Sequence, residues 1–213
     1  GNIAGTNGGA IDWHEGAHDG MVKNSTFEDN IAYSNGGAVY WRGHHGDIYD
    51  SNFTNNTALG VHEGSYHNIG DGGAIFWAGI NGTVVNCRFE DNQAIRNKDF
   101  NITGRGGAVY LGRCYHGNDN TTFTDCYFFN NTAGTNGGAL DWHEGANDGL
   151  VDNCTFINNT AKRSAGAIFW NGHNGTIQYS RFYGNKALGI ENASSVHGET
   201  TGEITYGGDG GAV

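Results

Sequence analysis

Proline is absent from the chain, and charged residues make up only 15% of it. With 38 glycines and 12% aromatics in 213 residues, this is the composition of one ordered domain, not of a disordered segment. Basic residues are scarce too: 11 Lys and Arg face 22 Asp and Glu, and the formal charge of −11 repels a phosphate backbone. Nucleic acid is therefore not an expected partner. No run of roughly 18 apolar residues occurs and no charged-then-apolar leader opens the chain, so these residues contain neither a membrane span nor a signal peptide. An export signal is expected outside them. Cysteine is confined to positions 87, 114, 126 and 154 without any C-x-x-C pair, which argues against a zinc ribbon or a thioredoxin-type redox site.

What the chain does have is repetition. AGTNGGAIDWHEGAHDG at 4–20 returns as AGTNGGALDWHEGANDG at 133–149. Shorter copies of the unit open with GGA or AGA near residues 8, 36, 72, 106, 137 and 165, and a seventh opens at 210. A second landmark, F-x-x-N-x-A, follows in each of six units, at Phe27, Phe53, Phe89, Phe128, Phe156 and Phe182. Trp13, Trp41, Trp77, Trp142 and Trp170 each stand three residues after the alanine of GGA, with Leu111 in the remaining unit.

In A-I-D-W and its copies the aliphatic residue and the tryptophan two positions later share a face, the period-2 signature of a strand. Ser or Cys and then Phe recur in every unit and are read as inward. The aliphatic residue five before each Phe also recurs, so a bend near residue 22 must reset the alternation. Each unit then offers two or three short strands between Gly/Asn/Asp turns, too little to bury an apolar face alone. Stacking equivalent strands about 4.8 Å apart solves this. The predicted fold is all-β, a right-handed parallel β-helix solenoid of about six coils with 25–28 core residues each. Trp stacks on Trp, Phe on Phe, and the recurrent Asn sits at a turn, bonded to its neighbour in the next coil and tolerant of left-handed backbone.

The GGA[ILV] and F-x-x-N pair resembles the repeats of the polymorphic outer-membrane autotransporters. Stretches such as FTNNTA and FINNTA are similar to the adhesin-like β-helix proteins of methanogenic archaea. The resemblance covers nearly the whole chain and implies an extracellular or cell-surface, non-catalytic adhesin segment. Its implied partner is a glycan or protein on a host or neighbouring cell.

Residues 14–18, HEGAH, match H-E-x-x-H by letter. A zincin needs these residues on a helix so that both imidazoles reach one metal. Here they follow a strand, lie among glycines, and become HEGAN in the second copy, so no catalytic zinc site is expected. A weaker divalent-cation reading concerns His14, His18, His44 and His143, with Glu15, Asp19, His45, His116, Glu144, Asp148 and His173 along the same edge. No defined ligand spacing emerges, and no cofactor is expected.

The outward positions of the Trp-bearing strand hold Asp12, Tyr40, Phe76, Tyr110, Asp141 and Phe169, a file of aromatics flanked by Asp that could stack on sugars or pack on protein. Asp12 and Asp141 lie about 19 Å apart at four coil rises, too far for glycosidase chemistry. A carbohydrate-processing lyase or hydrolase is thus the second choice. Insertions at 59–71, 95–105 and 188–209 lengthen one connection and are expected to emerge on one edge as a recognition face. Sequons at Asn24, Asn52, Asn55, Asn81, Asn101, Asn120, Asn130, Asn153, Asn158, Asn174 and Asn192 are glycosylation candidates, or simply turn formers. Cys87, Cys126 and Cys154 occupy the place of Ser in other units and read as free interior thiols. Both ends fall mid-repeat, so 1–213 is expected to be one β-helix segment of a longer array. Head-to-tail association into a filament is a third reading.

Overall fold

A computed structural model describes residues 1–61, 70–96, 103–112 and 120–189. All regular structure among them is β-strand, and every strand pairs in parallel with its equivalents in the coils before and after, making a parallel β-helix with four walls. A short wall is built from Ile3–Ala4, Ile31–Ala32, Thr57–Ala58, Gln93–Ala94, Thr132–Ala133, Thr160–Ala161 and Lys186–Ala187. The tryptophan wall is Ile11–Trp13, Val39–Trp41, Ile75–Trp77, Val109–Leu111, Leu140–Trp142 and Ile168–Trp170. A middle wall follows, with Met21–Lys23, Asp47–Tyr49, Thr83–Val85, Thr122–Thr124, Leu150–Asp152 and Thr176–Gln178. The phenylalanine wall closes each coil with Thr26–Glu28, Asn52–Thr54, Arg88–Glu90, Tyr127–Phe129, Thr155–Ile157 and Arg181–Tyr183. Four strands per coil exceed the two or three expected, because the short-wall strands are two residues long and carry no alternation to read.

The corners explain how such short strands keep their inner faces aligned. Between the middle and phenylalanine walls stand Asn24, Asp50, Asn86, Asp125, Asn153 and Tyr179, all left-handed with φ between 48° and 55°. One left-handed residue turns the chain and resets the alternation, so Val22 and Phe27 both point inward. The bend expected near residue 22 therefore lies at Asn24.

Inside, like stacks on like. Phe27, Phe53, Phe89, Phe128, Phe156 and Phe182 form one column with ring centroids 4.7–4.9 Å apart. Trp13, Trp41 and Trp77 stack at 4.5 and 4.9 Å, and Trp142 stacks on Trp170 at 4.3 Å. Each indole lies over a glycine of its own coil: a Cβ on Gly20, Gly46, Gly82, Gly149 or Gly175 would fall 2.1–2.5 Å from the ring. In the coil where Leu111 replaces tryptophan, the corresponding residue is Thr121, whose carbonyl accepts from Leu150 as that of Gly82 accepts from Thr122. Glycine is used there only where an indole needs the space.

The recurrent asparagines form a ladder. Asn30, Asn56, Asn92, Asn131, Asn159 and Asn185 each present Oδ1 to the backbone N–H and the Nδ2 of the asparagine one coil earlier, at 2.7–3.1 Å. The expected left-handed backbone belongs to the residue before, Asp29, Asn55, Asp91, Asn130, Asn158 or Gly184. That neighbour makes the corner and leaves the ladder residue free to point inward.

Candidate functional site

Residues 14–18 form a turn that leaves the strand at Trp13. The Ala17 N–H donates to the His14 carbonyl at 3.1 Å, and the Trp13 indole N–H donates to the Ala17 carbonyl at 2.8 Å. His14 and His18 thus share no helix face, and the zincin geometry is missing. His18 instead caps the backbone of the next coil. Its Nδ1 accepts the His44 backbone N–H at 3.0 Å, and His44 Nδ1 accepts that of Ile80 at 3.2 Å. The two imidazoles stack at 4.7 Å. In the second copy, Asn147 Oδ1 accepts the His173 backbone N–H at 3.0 Å, so HEGAH and HEGAN differ only in which side chain supplies the acceptor. No group of three His, Cys, Asp or Glu able to hold a metal occurs among the described residues. His116 lies outside them.

Asp12, Tyr40, Phe76, Tyr110, Asp141 and Phe169 are consecutive register partners on the outer face of the tryptophan wall. Tyr40, Phe76 and Tyr110 stack at 4.9 and 5.2 Å, and the file continues from Tyr110 to the His143 ring at 5.6 Å. It is not an open row. Asp12 is exposed and Tyr40 and Phe169 are half-buried, but Phe76, Tyr110 and Asp141 are buried.

A polar cluster lies against the covered middle. Asp71 is fully buried and accepts from the Arg105 guanidinium at 2.6 and 3.1 Å, from the Arg105 backbone N–H at 2.8 Å and from the Thr103 hydroxyl at 3.1 Å. Arg105 lies 4.5 Å over the Tyr110 ring and donates to His143 Nε2 at 2.9 Å. The same Arg105 nitrogen lies 3.2 Å from His143 Nδ1, which itself sits 3.6 Å from Asp141 Oδ1, too far for a hydrogen bond. Both Asp141 carboxylate oxygens are buried without a partner. Burial pushes the Asp141 carboxyl above its ordinary range, while His143 and Arg105 pull it down. Burial beside Asp71 likewise raises the Tyr110 hydroxyl.

A carboxyl raised by folding releases its proton more readily from the unfolded chain. Stability from this group is therefore highest below the unfolded value near about 3.9 and falls as pH rises through the folded value. Asp141→Asn is expected to be more stable than the parent at pH 8, by about 1–3 kcal/mol, with the gap closing toward pH 4. Melting curves of both proteins across that range test it; a parent more stable than the variant at pH 8 would contradict it.

Asp71 and Arg105 end the first two insertions, immediately before a GG pair, so their ion pair joins the two roots across adjacent coils. Gly60 and Gly70 come together where the first insertion leaves and returns, as Gly104 does with Ile95 and Arg96 in the second. Residues 62–69, 97–102 and 190–209 lie outside the described residues. Asp71, Arg105 and the use of His143 were not foreseen from the sequence; the position of the first two, at the ends of insertions feeding the ring file, was the signal available.

Residues 24–40, 50–76, 125–141 and 153–169 each match the Chlamydia polymorphic membrane protein repeat. The chain carries repeats similar to that family's. Each match runs from the corner before the phenylalanine wall, through the ladder asparagine, to the outward residue of the tryptophan wall. No curated protein and no solved structure matches the chain.

The remaining candidates have structural places. Asn24, Asn55, Asn81, Asn120, Asn130, Asn153, Asn158 and Asn174 are exposed left-handed corners, each followed by a residue at the start of the next wall and then a strand threonine. Asn52 lies within a strand, and Asn101 and Asn192 lie outside the described residues. The amides of Asn55, Asn86, Asn130, Asn153 and Asn174 donate to Asp29, Asp50, Asp91, Asp125 and Asp148 one coil before. At each of these corners no Asp is followed by Asp in the next coil. Cys87, Cys126 and Cys154 are free and buried in one column, the Cys126 thiol donating to the Thr124 carbonyl at 3.3 Å. Cys114 is outside the described residues.

Proposed function

We propose that this chain is a non-catalytic segment of a cell-surface adhesin, a rigid rod that presents two insertions beside the ring file of its tryptophan wall. The clamp between Asp71 and Arg105 carries this reading. It fixes the roots of both insertions to each other and to the file, at the cost of burying an ion pair, which favours a defined presenting surface over loose connections. The similarity of four segments to a repeat of membrane proteins supports display at a cell surface. The contact surface combines the insertions with the accessible ends of the file, Asp12, Tyr40 and Phe169, and its partner is a glycan or protein of another cell.

Deleting 62–69 and 97–102 together, while keeping Asp71 and Arg105, is expected to abolish attachment of the purified chain to target cells and its glycan-array signals, with the melting temperature within a few degrees of the parent. Undiminished attachment by the deletion protein would overturn the proposal. Asp71, Arg105, Tyr110, His143 and Asp141 give the second reading, a carbohydrate-processing β-helix, its one specific support, since perturbed acids gather at catalytic sites. Release of new reducing or unsaturated ends from a polysaccharide panel, lost in Asp141→Asn, would favour that reading.

A further inference from the structure

The charge of −11 is unevenly distributed. Residues 153–189 contain Lys162, Arg163, Arg181 and Lys186 and no Asp or Glu, so this stretch is cationic within an acidic chain. All four side chains are on exposed residues. Along the outside of the sixth coil Arg181 and Lys186 join two rings: Tyr179 is 80% exposed and Tyr183 60%. The outward order is then Tyr179 at the corner, Arg181 and Tyr183 on the phenylalanine wall about 6.8 Å apart, and Lys186 on the short wall beyond the Gly184 corner, ring and cation in turn. Thr160 is the register partner of Lys186, which puts Lys162 on the same short-wall face one coil back.

Tyr179 is the odd member of its corner. The other five coils place Asn or Asp there, residues that tolerate the left-handed backbone, whereas tyrosine at φ 51° is strained. Its ring is not buried in compensation. Strain kept at an exposed position points to a use outside the fold.

We infer that the outer face of the last two described coils, through Tyr179, Arg181, Tyr183, Lys186 and Lys162, binds an acidic polysaccharide, one whose sugars carry carboxylate or sulfate groups. Sugar rings present apolar C–H faces to tyrosine while their anionic groups meet the cations between. Single-stranded nucleic acid uses similar partners; the cell-surface setting favours polysaccharide, and binding of an oligonucleotide is the competing outcome of the test. The inference rests on the surface-display reading for its biological setting and names the ligand class.

Binding of the purified chain to polygalacturonate, dextran sulfate, neutral dextran and a single-stranded DNA oligonucleotide, at low and high salt, tests it. One or both acidic polysaccharides are expected to bind at low salt and weaken at high salt; binding to only one identifies the anionic group. Neutral dextran is expected not to bind. Arg181→Gln with Lys186→Gln should weaken binding roughly tenfold, and Lys23→Gln, on an exposed residue of the first coil, should leave it unchanged. Tyr179→Asn should weaken binding while the melting temperature holds or rises, which separates a contact role from a folding role. No binding to either acidic polymer, parental binding by the double variant, or tighter binding of the oligonucleotide would overturn it. Labelling of the chain on intact cells reads display separately, so failure here and failure of the adhesin reading are distinguishable.

Discussion

Replacing Gly73 by alanine is expected to unfold the stack around its third coil. A Cβ there would lie 2.0 Å from the Gly107 carbonyl oxygen and 2.6 Å from the backbone of Gln93. Both obstacles are main chain, one in the next coil and one across the coil, so no side-chain rotation relieves the clash. Separating the coils instead would stretch the parallel ladders on either side, because each coil is stable only through its neighbours. The expected cost exceeds about 4 kcal/mol, beyond the ordinary range for point substitutions. Gly5→Ala is the control, since a Cβ at Gly5 meets nothing within 4 Å. Urea unfolding followed by tryptophan fluorescence should give a parent-like midpoint for the control and little or no folded baseline for Gly73→Ala. Equal midpoints for the two variants would mean that the coils are less tightly packed than these distances require.

The next largest effect is expected at Asn92. Its Nδ2 donates to the Phe53 carbonyl and to Asn131 Oδ1, both at 2.9 Å, and its Oδ1 accepts from the Asn56 backbone N–H at 3.0 Å and from Asn56 Nδ2 at 2.9 Å. Alanine would leave the Asn56 N–H and one Asn56 amide hydrogen buried without partners. At about 1–3 kcal/mol for each stranded group, softened by relaxation, the loss comes to roughly 3–5 kcal/mol. Asn92→Asp should be worse at neutral pH, since it removes both donors and buries a charge facing two acceptors. Part of that loss should return as the solution is acidified and the carboxyl takes up a proton. Chemical denaturation at two pH values checks both variants; an Asp variant insensitive to pH would argue against the buried ladder.

The stacking of Phe on Phe and Asn on Asn was legible because the same residues recur at the same place in every coil, and in-register pairing follows directly from that. The parity reset at Asn24 was visible only as a contradiction between two inward patterns, because backbone handedness leaves no periodic mark. Recognising that Asn or Asp fills this corner in five coils would have located it. The clamp was illegible for another reason. Asp71 and Arg105 stand at the ends of insertions that occur once each, so no repeat predicts their meeting, and only the stacking of the third coil on the fourth brings them together. Burial of Phe76 and Tyr110 was equally out of reach, since alternation says which wall face a residue takes and nothing about what lies over that face.

The corner pairs restrict how such an array can grow. Each of the first five coils carries an aspartate at one or more left-handed corners: Asp19 and Asp29, then Asp50, Asp91, Asp125 and Asp148. A tandem duplication of any one of them would set two carboxylates side by side where an amide or imidazole now bridges, an unfavourable cross-strand pairing. The sixth, with Asn174, Tyr179 and Gly184, has no such conflict. Lengthening of the rod by copying a lone winding is thus open at that winding and opposed elsewhere, so the windings are not interchangeable beads despite their common motif.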